Sequence, residues 1–150
     1  MSEPQAIEVQ LSIERIYLKD ASFESPGSPE VFNEPFRPEM KVDINTRVNR
    51  LGDDRHEVVL SITVSASREG EKTAYLAEVQ QAGIFVIKGA EQNQLQPILG
   101  VHCPQTLFPY IREAIDGMVV KGGFPPVRLA PVNFEALYAE AVRQSRAQKH

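Results

Sequence analysis

Four stretches of this 150-residue chain alternate apolar and polar side chains with a period of two, the pattern of strands with one face buried. In IEVQLSIERIYLKD (residues 7–20), Ile7, Val9, Leu11 and Ile13 share one parity, while Ile16 and Leu18 have the other. The switch predicts a bulge near Glu14 and Arg15. In MKVDINTRV (40–48), Met40, Val42, Ile44 and Val48 share a face. HEVVLSITVSAS (56–67) is the cleanest stretch: Val58, Leu60, Ile62, Val64 and Ala66 face one way, and Ser61, Thr63, Ser65 and Ser67 the other. In TAYLAEVQQAGIFVIK (73–88) neither parity is purely polar, so both faces are expected to be covered or in contact.

The connections fit an antiparallel arrangement. Residues 49–54, with Gly52, and 68–72, with Gly70, are short enough for hairpins, whereas a parallel pair needs a crossover of a dozen or more residues. Residues 25–38, SPGSPEVFNEPFRP, form a long irregular loop punctuated by four prolines.

After Lys88 the period changes. Leu107, Tyr110, Ile111, Ala114, Ile115, Met118 and Val119 make one helical stripe, with Thr106 as its expected cap, Pro109 in its first turn, and Gly122 and Gly123 ending it. A second helix starts at Asn133, a good N-cap, and carries Phe134, Leu137, Tyr138, Ala141 and Val142 on its stripe. Strands followed by helices predict an α+β fold: a four-stranded antiparallel sheet with two C-terminal helices on one face. The length fits one domain over residues 1–150, with disorder expected at about 1–6 and 146–150. Two helices barely cover such a sheet, and oligomerisation would complete the burial.

Composition changes this picture little. The hydrophobic fraction of 42% and charged fraction of 24% are those of an ordinary soluble globular protein. The first 40 residues hold eight acids against three bases, a net −5, within a total of −4. That argues against nucleic acid, which seeks a basic face, and favours a cationic partner. The start, MSEPQAIEVQ, lacks the basic and apolar regions of a secretory signal, no run reaches membrane-spanning length, and the single Cys103 allows no internal disulfide. A cytoplasmic address is expected, with no membrane insertion.

Chemistry is sparse. REGEKT lacks the glycine spacing of a phosphate loop and reads as a hairpin turn. His56, His102 and His150 are scattered, and His102–Cys103 has no partner spacing for a metal. No catalytic residue, metal or cofactor is expected. An acyl-group enzyme with an apolar tunnel is the enzymatic alternative, and His102 is the one residue placed to serve it.

Function is therefore sought on surfaces, and residues 121–134, KGGFPPVRLAPVNF, stand out. Two glycines and three prolines exclude a helix, yet five large apolar residues remain in what should be a polar connection. One reading is a rigid crossover that packs its own side chains into the core. The other is one wall of an apolar groove, its backbone stiffened by proline and lined by Phe124, Val127, Leu129, Phe134, Leu137 and Tyr138. Hydrophobic contact is non-directional, so such a groove would take many apolar segments.

RIYLKDASFE, VLSITVSAS, AYLAEVQQAGIF, LFPYIREAI and GGFPPVRLAPVNFEALY, in order from about residue 13 to 138, resemble the SecB family of bacterial protein-export chaperones. The resemblance implies a homotetramer, a dimer of dimers, acting as an ATP-independent holdase. It implies binding of unfolded precursor proteins in an apolar groove, retention of their export competence, and delivery to the translocase motor SecA. Residue 36, Phe, matches an aromatic position near that groove. Asp20, Glu24, Leu76 and Glu78 match the SecA-docking surface, and Ala77, Val79 and Gln81 match positions of tetramer assembly. The chain departs from the family in its short basic end, RQSRAQKH, and in Ala77 and Ala82, which stand where cysteine and glycine are familiar. A variant of the family dedicated to an antitoxin client is the second alternative.

Overall fold

A computed structural model of the chain describes residues 8–148. The expected disorder at residues 1–6 lies outside that range, as do residues 149 and 150. The four strands are β1 (Gln10–Glu24), β2 (Glu39–Arg50), β3 (Arg55–Ser67) and β4 (Thr73–Lys88), all paired antiparallel in the order β1-β4-β3-β2. β2, β3 and β4 form a meander through two tight turns, and the second turn places Gly70 at φ 77°, a conformation that favours glycine. The proline-rich loop returns the chain across the sheet, so β1 joins β4 and both β1 and β2 are edges.

The predicted bulge is present: the β1–β4 register slips between Ile13 and Arg15. A second slip, between Leu18 and Asp20, was not foreseen. The extra residue at each slip is charged, and each reaches over β4 to the start of β3. Glu14 pairs with Arg55 at 2.7 Å and Lys19 with Glu57 at 2.9 Å. The bulges thus turn β1 while tying it to a strand it does not touch through its backbone.

The helical part differs from the two-helix expectation. α1 (Gln92–Pro97) precedes a five-residue π-helical stretch, Ile98–His102, which runs into α2 (Cys103–Lys121); α3 (Phe134–Gln148) follows. α1 escapes a periodicity search because it is six residues long. Its mark is the reciprocal cap of Glu91 and Gln94, in which the Glu91 N–H donates to Gln94 Oε1 at 3.0 Å. Prolines at 97 and 104 remove ladder donors on either side of the π stretch. Thr106 is no cap, since its hydroxyl donates back to the His102 carbonyl at 2.9 Å, and Pro109 lies inside α2 rather than in its first turn.

The core lies between α2 and the middle of the sheet. Cys103, Leu107, Ile111, Ile115 and Val119, one every four residues, meet Val58, Leu60, Ile62, Val64 and Ala66 of β3 and the odd residues of β4 from Tyr75 to Ile87. Gly83 permits this close approach, because a Cβ there would meet Phe85 and Leu107. Tyr110, expected on the buried stripe, is exposed at its flank. α3 packs against the π-helical stretch rather than on the sheet, so only one helix lies flat on that face. Among the described residues no helix is long and apolar enough to cross a membrane.

Candidate functional site

α2 covers β3 and β4 and leaves the helix-facing side of β2 largely bare. Met40, Val42 and Val48 remain exposed there, and Ile44 is half-buried. α3 stands across from this row. Asn133 caps it as predicted, accepting from the Ala136 N–H at 3.0 Å, and this fixes where the helix begins and which residues face β2. Between them lies a recess of about 310 Å³, with Ile44, Thr46 and Val48 on one wall, Leu99 and Gly100 at the π stretch, and Phe134, Leu137 and Tyr138 on the other. The Tyr138 ring lies directly over Gly100, in space a Cβ would occupy. Phe134 is 4% exposed and forms a buried shoulder of the recess, whereas Leu137, at 46%, presents a free side chain.

Of the remaining residues expected in the groove, Phe36 and Phe124 sit over Tyr75 of β4. Phe124 is 5% exposed, so it is a buttress rather than an open wall. Its ring centroid lies 4.9 Å from Tyr75, 5.2 Å from Phe36 and 5.3 Å from Phe32. Phe36 is half-buried and borders a second recess, of about 530 Å³, with Val31, Pro35 and a rim of Arg37, Arg68 and Lys72. Val127 and Leu129 are half-buried against the core. The strap holding them is pinned to α2: Asp116 Oδ1 accepts from the N–H groups of Val127 at 2.9 Å and Arg128 at 3.1 Å. Arg128 has a φ of 54°, unusual for a residue with a Cβ. The expected lining therefore divides into an aromatic end at Phe36 and Phe124 and an open middle at Phe134, Leu137 and Tyr138. β2 runs past both.

The other face of the sheet is mixed, with Ser61, Thr63 and Ser65 beside the buried Val59 and Ala82. Asp20, Glu24, Leu76 and Glu78 all lie on it, because Glu24 is the cross-strand partner of Leu76, Asp20 of Gln80, and Ser22 of Glu78. The three carboxylates are exposed and Leu76 is half-buried, so the four form one acidic patch beside the free edge of β1. On the same face Glu57 is only 7% exposed. It accepts hydrogen bonds from the Tyr17 hydroxyl, from Lys19 at 2.9 and 3.0 Å, and from Asn49 Nδ2 at 2.7 Å. Burial raises its pKa, but the three donors and the Lys19 charge outweigh that and hold the carboxyl down at about 2. The Tyr17 hydroxyl is pushed up to about 12 by burial, then by its bond to Glu57. Nothing in the alternation pattern marked this cluster; its signal was the acid at the head of an otherwise Ser/Thr and Val face.

The family model described as "Preprotein translocase subunit SecB" matches residues 4–145 of the chain. This chain belongs to the SecB family. It is 54% identical over 137 residues to the protein-export protein SecB of Marinobacter nauticus, covering 91% of this chain and 82% of that one. Against the protein-export protein SecB of a Marinomonas species it is 51% identical over 139 residues, covering 93% and 87%. Its fold also matches a SecB-like chaperone of Mycobacterium tuberculosis, solved in complex with a ChAD peptide from the HigA1 antitoxin. The TM-score is 0.67 at 16% identity, over 82% of this chain and 91% of that one. Membership makes this a chaperone-family chain of protein export, with the α+β sheet-and-helix fold expected for SecB.

Within this SecB-family chain the residues expected at positions of tetramer assembly are not surface groups. Ala77 and Val79 are fully buried under α2, and Gln81 donates from Nε2 to the Tyr17 carbonyl at 3.0 Å. Cys103 is sealed in the core, and burial pushes its thiol up to about 12, the opposite of an activated nucleophile. His102 is exposed beside it and offers that thiol no base of use. What sequence reasoning missed is the floor of the site: Ile44, Val48, Leu99 and Gly100. Met40, Val42, Ile44 and Val48 were legible as one face, and the shortage of helices to cover them was the available signal.

Proposed function

We propose that this chain is a holdase that binds non-native precursor proteins along β2 without nucleotide hydrolysis, keeps them export-competent and passes them to SecA. The observation that carries the reading is the bare apolar row of β2 opposite Leu137 and Tyr138. The twelve residues of β2 at about 3.4 Å each give a floor of roughly 40 Å, enough for an extended segment of about a dozen residues. Family membership and the peptide-bound SecB-like chaperone with the same fold support it. A holdase acts by binding the unfolded chain and not the folded one, so slow folders stay bound and fast folders escape. Several such grooves on one assembly multiply a weak affinity through effective concentration.

The assembly in this reading is a dimer of dimers. Its support is β1, an edge strand whose Leu11, Ile13 and Leu18 are exposed at a margin of the helix-facing side that the helices do not reach. SecA docks on the acidic patch of Asp20, Glu24, Leu76 and Glu78, on the opposite side of the sheet from the groove, so client and motor engage together. Export is preferred over an antitoxin-dedicated role because the relatives above half identity are export proteins, whereas the antitoxin-bound chaperone is 16% identical.

Light scattering of a denatured precursor, diluted without ATP, tests the groove. The wild-type chain suppresses aggregation, and Val42→Asp with Leu137→Asp, both at exposed positions, abolishes suppression while circular dichroism stays unchanged. Retained suppression refutes the groove. Glu78→Lys weakens SecA binding and leaves suppression intact, and added salt weakens the wild-type contact as well; unchanged SecA affinity places the docking face elsewhere.

A further inference from the structure

The groove does not end in hydrocarbon. At the β2–β3 turn it opens into a recess of about 450 Å³ lined by Val48, Arg50, Asp53, His56, Gln92 and Gln96, together with Leu95 and Leu99. Val48, Gln96 and Leu99 also border the recess at Tyr138, so the two are continuous. His56 is 5% exposed, and its Nδ1 is buried with no hydrogen-bond partner among the described residues. A buried polar atom without a partner is costly and rare, and the ring that carries it borders the recess.

The charges around it select the kind of group that fits. Arg50 is answered within its own turn, donating from Nε to the Gly52 carbonyl at 3.1 Å and facing Asp53 at 3.5 Å. Burial, with the Arg50 charge next, lowers the pKa of His56 and outweighs the opposing charge and backbone of Asp54, so the imidazole is neutral at neutral pH. A carboxylate entering the recess would meet Asp53, the Asp54 charge beside the ring, and a ring that brings no charge of its own. A cation would meet Arg50. Neutral imidazole nitrogen and the Gln92 and Gln96 amides suit a group that both donates and accepts, which is a primary amide.

We propose that the recess around His56 is a polar pocket of the client groove that takes an Asn or Gln side chain of the bound polypeptide. Along β2 the helix-facing positions are Ile44, Thr46, Val48 and Arg50, so the middle of the apolar recess and the polar pocket lie four residues apart. An extended client, with every second side chain on one face, then carries an apolar anchor and an amide four positions apart. This specificity rests on the groove reading proposed above.

The test uses fluorescein-labelled twelve-residue peptides in a Ser/Gly background, each with one Phe and, four residues away in either direction, Asn, Leu or Asp. Fluorescence anisotropy with the full chain is expected to show the Phe/Asn peptide binding about tenfold tighter than Phe/Leu or Phe/Asp in one of the two orders. His56→Phe is expected to erase that preference and leave Phe/Leu binding unchanged; His56→Gln, which keeps a polar group, is expected to retain part of it. Equal affinity of the wild-type chain for Phe/Asn and Phe/Leu overturns the pocket while leaving the groove standing, and so does an Asn preference that survives in His56→Phe. No binding of any Phe peptide overturns both.

Discussion

Replacing Glu57 by Gln removes the charge on which Tyr17, Lys19 and Asn49 converge, and the size of the effect follows from the carboxyl's displacement. The folded-state pKa is about 2 against an ordinary 4.5, and about 2.5 pH units at 1.36 kcal/mol each is about 3 kcal/mol. The group is depressed on folding, so its contribution is complete above about 4.5 and is lost as pH falls through about 2. Linkage with these two values leaves about half of it at pH 3. Urea unfolding of the wild-type chain and Glu57→Gln, at one fixed protein concentration so that assembly contributes equally, is therefore expected to give a gap of about 3 kcal/mol at pH 7 and about 1.5 kcal/mol at pH 3. The difference between proteins matters more than either curve, because other carboxylates titrate in the same range in both. A gap below about 1 kcal/mol at pH 7, or one that does not narrow at pH 3, refutes the view that this ionised carboxylate ties β1 and β2 to β3.

Two further substitutions separate wall from buttress along the groove. Phe124→Ala is expected to cost about 3–5 kcal/mol in urea unfolding, since the ring is buried among Phe32, Phe36 and Tyr75, whereas Leu137→Ala, at an exposed position, stays within about 1 kcal/mol; equal costs contradict the assignment. Gly100→Ala places a methyl where the Tyr138 ring lies and is expected to cost about 1–3 kcal/mol and to weaken client binding. Combining it with Tyr138→Leu recovers most of the stability, and simple additivity of the two in a double-mutant cycle contradicts the contact.

The sheet was legible because its signal is local. Alternation in residues 56–67 and 73–88 survives as β3 and β4 with little change of boundary, and the parity switch at Glu14 survives as a register slip. The Lys19 slip also leaves a mark, in Ala21 and Phe23, whose parity is opposite to that of Ile16 and Leu18, but they fall beyond the stretch of residues 7–20 whose alternation was read. Asn133 announced α3, but the placement of α3 beside the sheet rather than on it depends on the π stretch at Gly100, and no periodicity reports a π turn. The site was half-visible for the same reason. Side chains of the strap and α3 were recognisable as surplus grease, yet whether each becomes wall or buttress is decided by long-range packing. Phe124 is closed by Phe32 and Phe36 from a loop some ninety residues earlier in the chain.

The two uncovered margins of the helix-facing side differ in a way that fits the proposed division between assembly and capture. The β1 margin presents Leu11, Ile13 and Leu18 on a free edge, so another sheet can meet it with both backbone and side chains. The β2 margin is overhung by α3, interrupted by the Tyr138 ring and ended by His56, so a flat, rigid partner would leave those recesses unfilled. A flexible chain can fill them one side chain at a time. Lys41, Asp43 and Arg47 on the reverse face of β2 put charge beside its open edge, which opposes the edge-to-edge pairing that bare strands invite. The margin suited to a folded partner and the margin suited to an unfolded one thus lie at opposite ends of the strand order, and occupying either leaves the other open.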